Sequence, residues 1–120
     1  HFLKGVCAIG YMTMNSNNNP LTPDVIVDEG PAPFDQSWSV LSLPGHTPGS
    51  CGLWSESRRM LFCGDTVLVM GKGLDKPFPF LIEDRKALQR SWDKLAALGT
   101  IDWIMPGHFK PLRFRGVIAR

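Results

Sequence analysis

Little in this sequence points to a membrane, a nucleic acid or a disulfide framework. No apolar stretch approaches the roughly 20 residues that a membrane-spanning helix needs, and no charged-then-apolar leader of the secretory kind is present. Lysine and arginine number 13 against 11 aspartates and glutamates. A surplus of +2 without any block of like charge is too small for a phosphate-binding surface. Neither a nucleic-acid partner nor a membrane is therefore expected, and the basic end FKPLRFRGVIAR reads as a solvated terminal segment. Cysteine is scarce, and Cys7, Cys51 and Cys63 match no zinc-ligand spacing. Buried free thiols, and with them a cytoplasmic location, are the expectation; a Cys51–Cys63 bridge across a hairpin is the alternative. The chain opens on His1 rather than methionine, which reads as a processed product or a fragment.

What is present suits one domain over residues 1–120: 43% hydrophobic residues, with four tryptophans and seven phenylalanines to fill a core. GVCAIGYMTM allows a short strand, and residues 15–23 form a flexible polar loop by composition. DVIVDEG (24–30) reads as a strand closed by glycine, PAPFDQ as a loop and SWSVLSL (37–43) as a strand. Two apolar runs near 51–55 and 60–63 flank the polar SESRR, as in a β-hairpin. VMGKGLDKPFPF is too rich in glycine and proline for a regular element and is expected as a surface loop. The period then changes: Leu88, Trp92, Leu95 and Leu98 make one apolar stripe of a helix, with Asp84 as N-cap and Gly99 at its stop. IDWIM resumes as a strand. The fold class is thus α/β in the broad sense (α+β), a mainly antiparallel or mixed sheet with one long helix. One helix covers one face of a sheet, and the other face lacks a partner in this inventory.

Histidine is as scarce as cysteine, and its placement repeats. His46 follows VLSLPG and His108 follows WIMPG; between them, Asp65 follows MLFCG. Each is a good metal ligand set one residue beyond a glycine, where a strand should end. A strand end fixes the chain direction and glycine permits a tight change of course. If the three strands are neighbours, the three side chains gather at one rim. Two imidazoles and one carboxylate suit zinc, with iron or manganese as alternatives, and leave coordination positions open.

LPGHTPGS, LFCGDTVL and IMPGH together resemble the last three metal-binding motifs of the metallo-β-lactamase superfamily, over about Val25 to Lys110. The resemblance implies half of an αβ/βα sandwich. It implies one or two metal ions, with His46 completing one metal site, Asp65 bridging two metals as the catalytic ligand, and His108 completing the second. The implied activity is hydrolysis of a small-molecule ester, thioester, lactone or amide by a metal-activated water. The family's His-x-His-x-Asp-His signature is absent, and PGHF departs from the glycine the family often has after the last histidine. The chain therefore reads as the C-terminal half of such a hydrolase, inactive alone, its bare sheet face covered by the missing N-terminal half or by another copy in a homo-oligomer such as a dimer. The alternative is a non-catalytic structural or oligomerisation module with at most a residual metal site. Thr47 and Ser50 are candidates for hydrogen bonds around the ligands, or for stabilising the turn. Lys72, Lys76 and Phe78, with Phe80, lie in a loop that the family places near the mouth of the site; a solvated loop packed on the helix is the other reading. Trp92 belongs to the core.

Overall fold

The computed structural model describes residues 24–120; the expectations for 5–14, for the polar loop 15–23 and for Cys7 lie outside the described residues. Its elements are β1 (Gly30–Ala32), β2 (Asp35–Ser42), β3 (Cys51–Ser55), β4 (Met60–Gly64), β5 (Leu68–Met70), β6 (Gly73–Asp75), α1 (Arg85–Ala96), β7 (Ile101–Pro106) and β8 (Leu112–Gly116), with a 3-10 turn at Pro79–Leu81. Six strands form one sheet in the order β1-β2-β3-β4-β7-β8, and β5 and β6 pair as a separate ribbon. Every neighbour pair in the large sheet is antiparallel except β4–β7, which is parallel. A parallel pair needs a long crossover, and the β5–β6 ribbon and α1 supply it. The fold is α+β: a mixed sheet with one helix.

The helix follows from its sequence. Asp84 accepts a hydrogen bond from the Ala87 amide at 3.0 Å, satisfying one of the donors that a helix start leaves open. Leu88, Trp92 and Leu95 are buried on the face turned to the sheet, and Gly99 leaves with φ +82°, a left-handed turn that glycine takes without strain. On the sheet, the register sets Trp54 opposite Leu61 and Leu61 opposite Ile104, and all three are buried against the helix. Each such side chain contributes about 1.5–3 kcal/mol of hydrophobic stabilisation. The next row, Leu53 opposite Phe62 and Phe62 opposite Met105, points to the other face because side chains alternate along a strand. There Leu53 and Met105 are half-buried and Phe62 is 38% exposed, with Trp38 packed edge-on against it at 5.6 Å. Among the described residues no helix covers this second face.

Four expectations need correction. Residues 24–29 are irregular, and the strand starts only at Gly30 and runs on through Pro31 and Ala32, which read as a loop; β1 lies at the sheet edge, where Pro31 removes no hydrogen bond that an inner strand would need. Residues 69–80 are not free of regular structure. Met70 pairs with Gly73 across a tight turn in which Gly71 has φ +64°, the positive φ that two-residue hairpin turns demand. The basic end is not merely solvated. In β8, Leu112 and Phe114 pack against the core while Arg113 and Arg115 face outward, and Ile118 beyond it is 1% exposed. Cys63 is a buried free thiol, so no Cys51–Cys63 bridge forms; Cys51 is disulfide-bonded, against the expectation that the cysteines are free.

Candidate metal centre

Strand direction brings the three corners together. β2 is antiparallel to β3 and β3 to β4, while β4 is parallel to β7. Strands β2, β4 and β7 therefore run the same way, and their C-terminal ends share one rim of the sheet. His46, Asp65 and His108 each sit just beyond one of those ends.

Each corner is fastened by its own bonds. Gly45 has φ +141° and lies so close to α1 that a β-carbon there would stand 2.4 Å from the Leu88 Cα. Its carbonyl accepts from the amides of Glu83 at 2.9 Å and Asp84 at 3.0 Å, and the Ser91 hydroxyl donates to the Pro44 carbonyl at 2.7 Å. The His46 corner is thus docked on the start of the helix. At the second corner, the Trp92 indole donates to the Thr66 carbonyl at 2.9 Å and the buried Thr66 hydroxyl to the Leu43 carbonyl at 3.3 Å. The third is tied to the second, since the Gly107 amide donates to the Gly64 carbonyl at 2.8 Å. A β-carbon on Gly107 would come within 2.7 Å of the Asp65 Oδ1, so the bare glycine makes room for that carboxylate.

The side chains meet at Asp65. His108 Nδ1 stands 2.6 Å from Asp65 Oδ1, and His46 Nε2 lies 3.6 Å from Asp65 Oδ2. The other nitrogen of His46, Nδ1, donates to the Leu81 carbonyl at 2.5 Å. A carbonyl can only accept, so Nδ1 carries a proton, and Nε2 is the nitrogen turned toward Asp65, the orientation of an imidazole that ligates through Nε2. The Asp65 side chain is 10% exposed, His46 20% and His108 60%. Among the described residues, however, no three His, Cys, Asp or Glu side chains close on a common point that would hold an ion. The two facts agree once the oxygens are distinguished. Asp65 turns a different oxygen to each imidazole, so the rings flank the carboxylate instead of surrounding one centre. Each imidazole thus faces its own oxygen of Asp65.

Of the other residues singled out in the sequence, Thr47 and Ser50 bond each other, hydroxyl to hydroxyl at 2.8 Å, and the Thr47 amide donates to the Ser50 hydroxyl at 3.1 Å. These bonds shape the turn after His46. Lys76 donates to Gln89 at 2.6 Å and lies over the Trp92 ring at 5.5 Å, and so is drawn to the helix. Lys72 is exposed in the turn of the β5–β6 ribbon. Phe78 stacks on Phe80, with centroids 5.8 Å apart and planes 5° from parallel, and both are exposed. Sequence reasoning missed Leu81, Ser91 and Thr66 as supports of the corners. Only Ser91 left a trace, as a polar residue inside the apolar stripe of α1.

A model of the metallo-β-lactamase superfamily matches residues 11–108. The chain belongs to that superfamily. Proteins that match by sequence include an uncharacterised protein of Aquifex aeolicus, 41% identical over 57% of this chain and 34% of its own length. A probable metallo-hydrolase of Bacillus subtilis, YflN, is 29% identical over 71% of this chain and 36% of its own length. The chain thus spans about a third of the length of these curated relatives. Among solved structures, TTHA1623 in a di-iron-bound form superposes with a TM-score of 0.61 at 27% identity, covering 79% of this chain and 46% of that one. The DIM-1 metallo-β-lactamase, at 19% identity and a TM-score of 0.62 over 86% of this chain and 47% of its own, shares the fold.

Proposed function

We propose that these residues form the C-terminal half of a metal-dependent hydrolase of the superfamily, with His46, Asp65 and His108 as metal ligands and Asp65 bridging. The observation that carries the reading is Asp65, which reaches one imzidazole with each carboxylate oxygen. Zinc, or iron or manganese, bound there supplies Lewis acidity and lowers the pKa of water. The residues of this chain hold the donors in place. Leu81 fixes the His46 tautomer, Gly107 leaves space for Asp65, and the helix start anchors the His46 corner. The reaction class is hydrolysis of a small-molecule ester, thioester, lactone or amide. A probable metallo-hydrolase and a hydroxyacylglutathione hydrolase of Blochmanniella pennsylvanica (53% identical over 33% of this chain) are relatives that support hydrolysis.

The remaining ligands belong to an N-terminal half, and the same half covers the face bearing Leu53, Phe62 and Met105; a second copy of the chain is the other candidate cover. The fraction of the relatives' length that the chain spans supports this. The free buried thiol of Cys63 suits a reducing cytoplasm, but the disulfide-bonded Cys51 suits an oxidising compartment, so the cysteines do not support the cytoplasm. The second reading, a non-catalytic oligomerisation module, draws on the lack of three donors converging on one point among the described residues. Metal analysis separates the two. In protein carrying both halves, His46→Ala and Asp65→Ala should lose bound metal and ester or thioester turnover together. Metal content and turnover equal to the unsubstituted protein in both variants would exclude ligation by these residues.

A further inference from the structure

His46 and Asp65 stand on corners that the strand ladder does not join. Strand β3 lies between β2 and β4, and adjacent strands are about 4.8 Å apart, so the two strand ends are about twice that distance from each other. The paired register of β2 stops at Ser42, and Asp65 lies beyond the end of β4. A closed ring of hydrogen bonds spans the gap instead. The Thr66 hydroxyl donates to the Leu43 carbonyl at 3.3 Å, and the Thr66 carbonyl accepts from the Trp92 indole at 2.9 Å. Ser91, the residue before Trp92, donates to the carbonyl of Pro44, the residue after Leu43, at 2.7 Å. The ring therefore runs from Leu43 and Pro44 to Ser91 and Trp92, then to Thr66 and back to Leu43. His46 is two residues beyond it at one corner, and Asp65 is the immediate neighbour of Thr66 at the other. All three donors are buried, with Thr66 at 0% exposure, Ser91 at 2% and Trp92 at 6%. A buried hydroxyl is costly to remove from water, and valine has the same shape without that cost. Cys63 and Val67, close to Thr66 in sequence, belong to the apolar core. Packing alone gives no reason for a hydroxyl at this position.

We propose that Thr66 is a positioning residue: through the ring it shares with Ser91 and Trp92, it sets how His46 and Asp65 face each other, and so the geometry offered to a metal ion. The inference rests on the reading of His46 and Asp65 as metal ligands. Its test uses protein carrying both halves, as wild type, Thr66→Val, Thr66→Ser and Trp92→Phe. Zinc affinity is measured by competition with a chelator, and the visible spectrum of the cobalt(II) form reports the ligand geometry. Chemical denaturation of the metal-free proteins gives their stability. Thr66→Val should lower zinc affinity by about 10–100-fold, the range for lost support of a ligand, and should shift the cobalt bands. Trp92→Phe keeps an aromatic ring but removes the donor to the Thr66 carbonyl, and should change affinity and spectrum in the same direction. Thr66→Ser keeps the hydroxyl and should retain zinc affinity and spectrum close to wild type, although the lost methyl destabilises the metal-free protein. A packing role predicts the opposite order, with serine the worse replacement. Wild-type affinity and an unshifted spectrum in Thr66→Val overturn the proposal and leave the ligands in place. So does a Thr66→Ser protein that loses as much affinity as Thr66→Val. Should Thr66→Val fail to fold, Trp92→Phe decides in its stead, and an unchanged affinity and spectrum there overturn the proposal. A wild type that takes up neither zinc nor cobalt removes the ligand reading itself, and the proposal with it.

Discussion

Gly107 and Cys63 show how single positions bear on the site in opposite ways, one by the space it leaves and one by the space it fills. A methyl at Gly107 would stand 2.7 Å from Asp65 Oδ1, closer than van der Waals contact allows, so the carboxylate must turn. Gly107→Ala in protein with both halves should therefore keep the fold but weaken metal binding by about 10–100-fold, the range seen when ligand support is lost. Competition with a metal chelator measures it, and undiminished affinity would count against Asp65 as a ligand. Cys63 is enclosed by the core, and burial pushes its thiol up to about 12 from 9.0. The neutral form is the one favoured in the fold, so this contribution to stability is whole below pH 9.0 and is lost as pH climbs toward 12. Iodoacetamide at about pH 8 should reach Cys63 only through opening of the core. Peptide mapping should show alkylation rising with denaturant; rapid labelling in native buffer would contradict the burial. The gathering of His46, Asp65 and His108 was legible because three corners share one chemistry. Their supports were not, since Leu81 acts through its backbone and Thr66 through bonds that link distant parts of the chain.

The start of α1 and the His46 corner behave as one element. Gly45 accepts from both Glu83 and Asp84, and the Asp84 carboxylate caps Ala87. The hydrogen bond from the Ala87 amide holds the Asp84 carboxyl below its ordinary 3.8. A depressed pKa means that the cap contributes above the unfolded value and is lost as pH falls below 3.8 toward the lower folded value. Asp84→Ala should accordingly melt a few degrees lower than wild type near neutral pH, and the gap should close as the pH drops below 3.8. A gap that persists in acid would mean the carboxylate is not what caps the helix. Ser91→Ala removes the donor to the Pro44 carbonyl; an unmet buried acceptor costs about 1–3 kcal/mol, and chemical denaturation should read a loss of that size. The helix, β2, the β3–β4 hairpin and β7 could all be read from apolar periodicity. β1 and β8 could not, because edge strands tolerate proline and charge that inner strands refuse. In LRFRG the alternation of apolar and basic residues was present, but the charge concealed a half-buried strand.

The whole molecule is asymmetric about its sheet. One face is sealed by α1 around Trp54, Leu61 and Ile104, while the other presents Leu53, Phe62 and Met105 beside Trp38 with no helix over them among the described residues. That imbalance was legible in the sequence as one amphipathic helix set against many strands. A contiguous apolar face of this kind is seldom left to water by a soluble monomer. Under the reading of a half-domain, the 120 residues alone should self-associate, and Phe62→Ser should reduce the association by weakening the centre of the patch. Co-expression with an N-terminal half bearing His-x-His-x-Asp-His should replace self-association by a one-to-one complex that also binds more metal. Light scattering combined with size exclusion distinguishes these states, and a hydrophobic dye reports whether the face is open. If the chain alone runs as a monodisperse monomer that leaves the dye unbound, the face is already satisfied within these residues. The missing half would then lose its structural argument, and the incomplete ligand row would have to be explained without it.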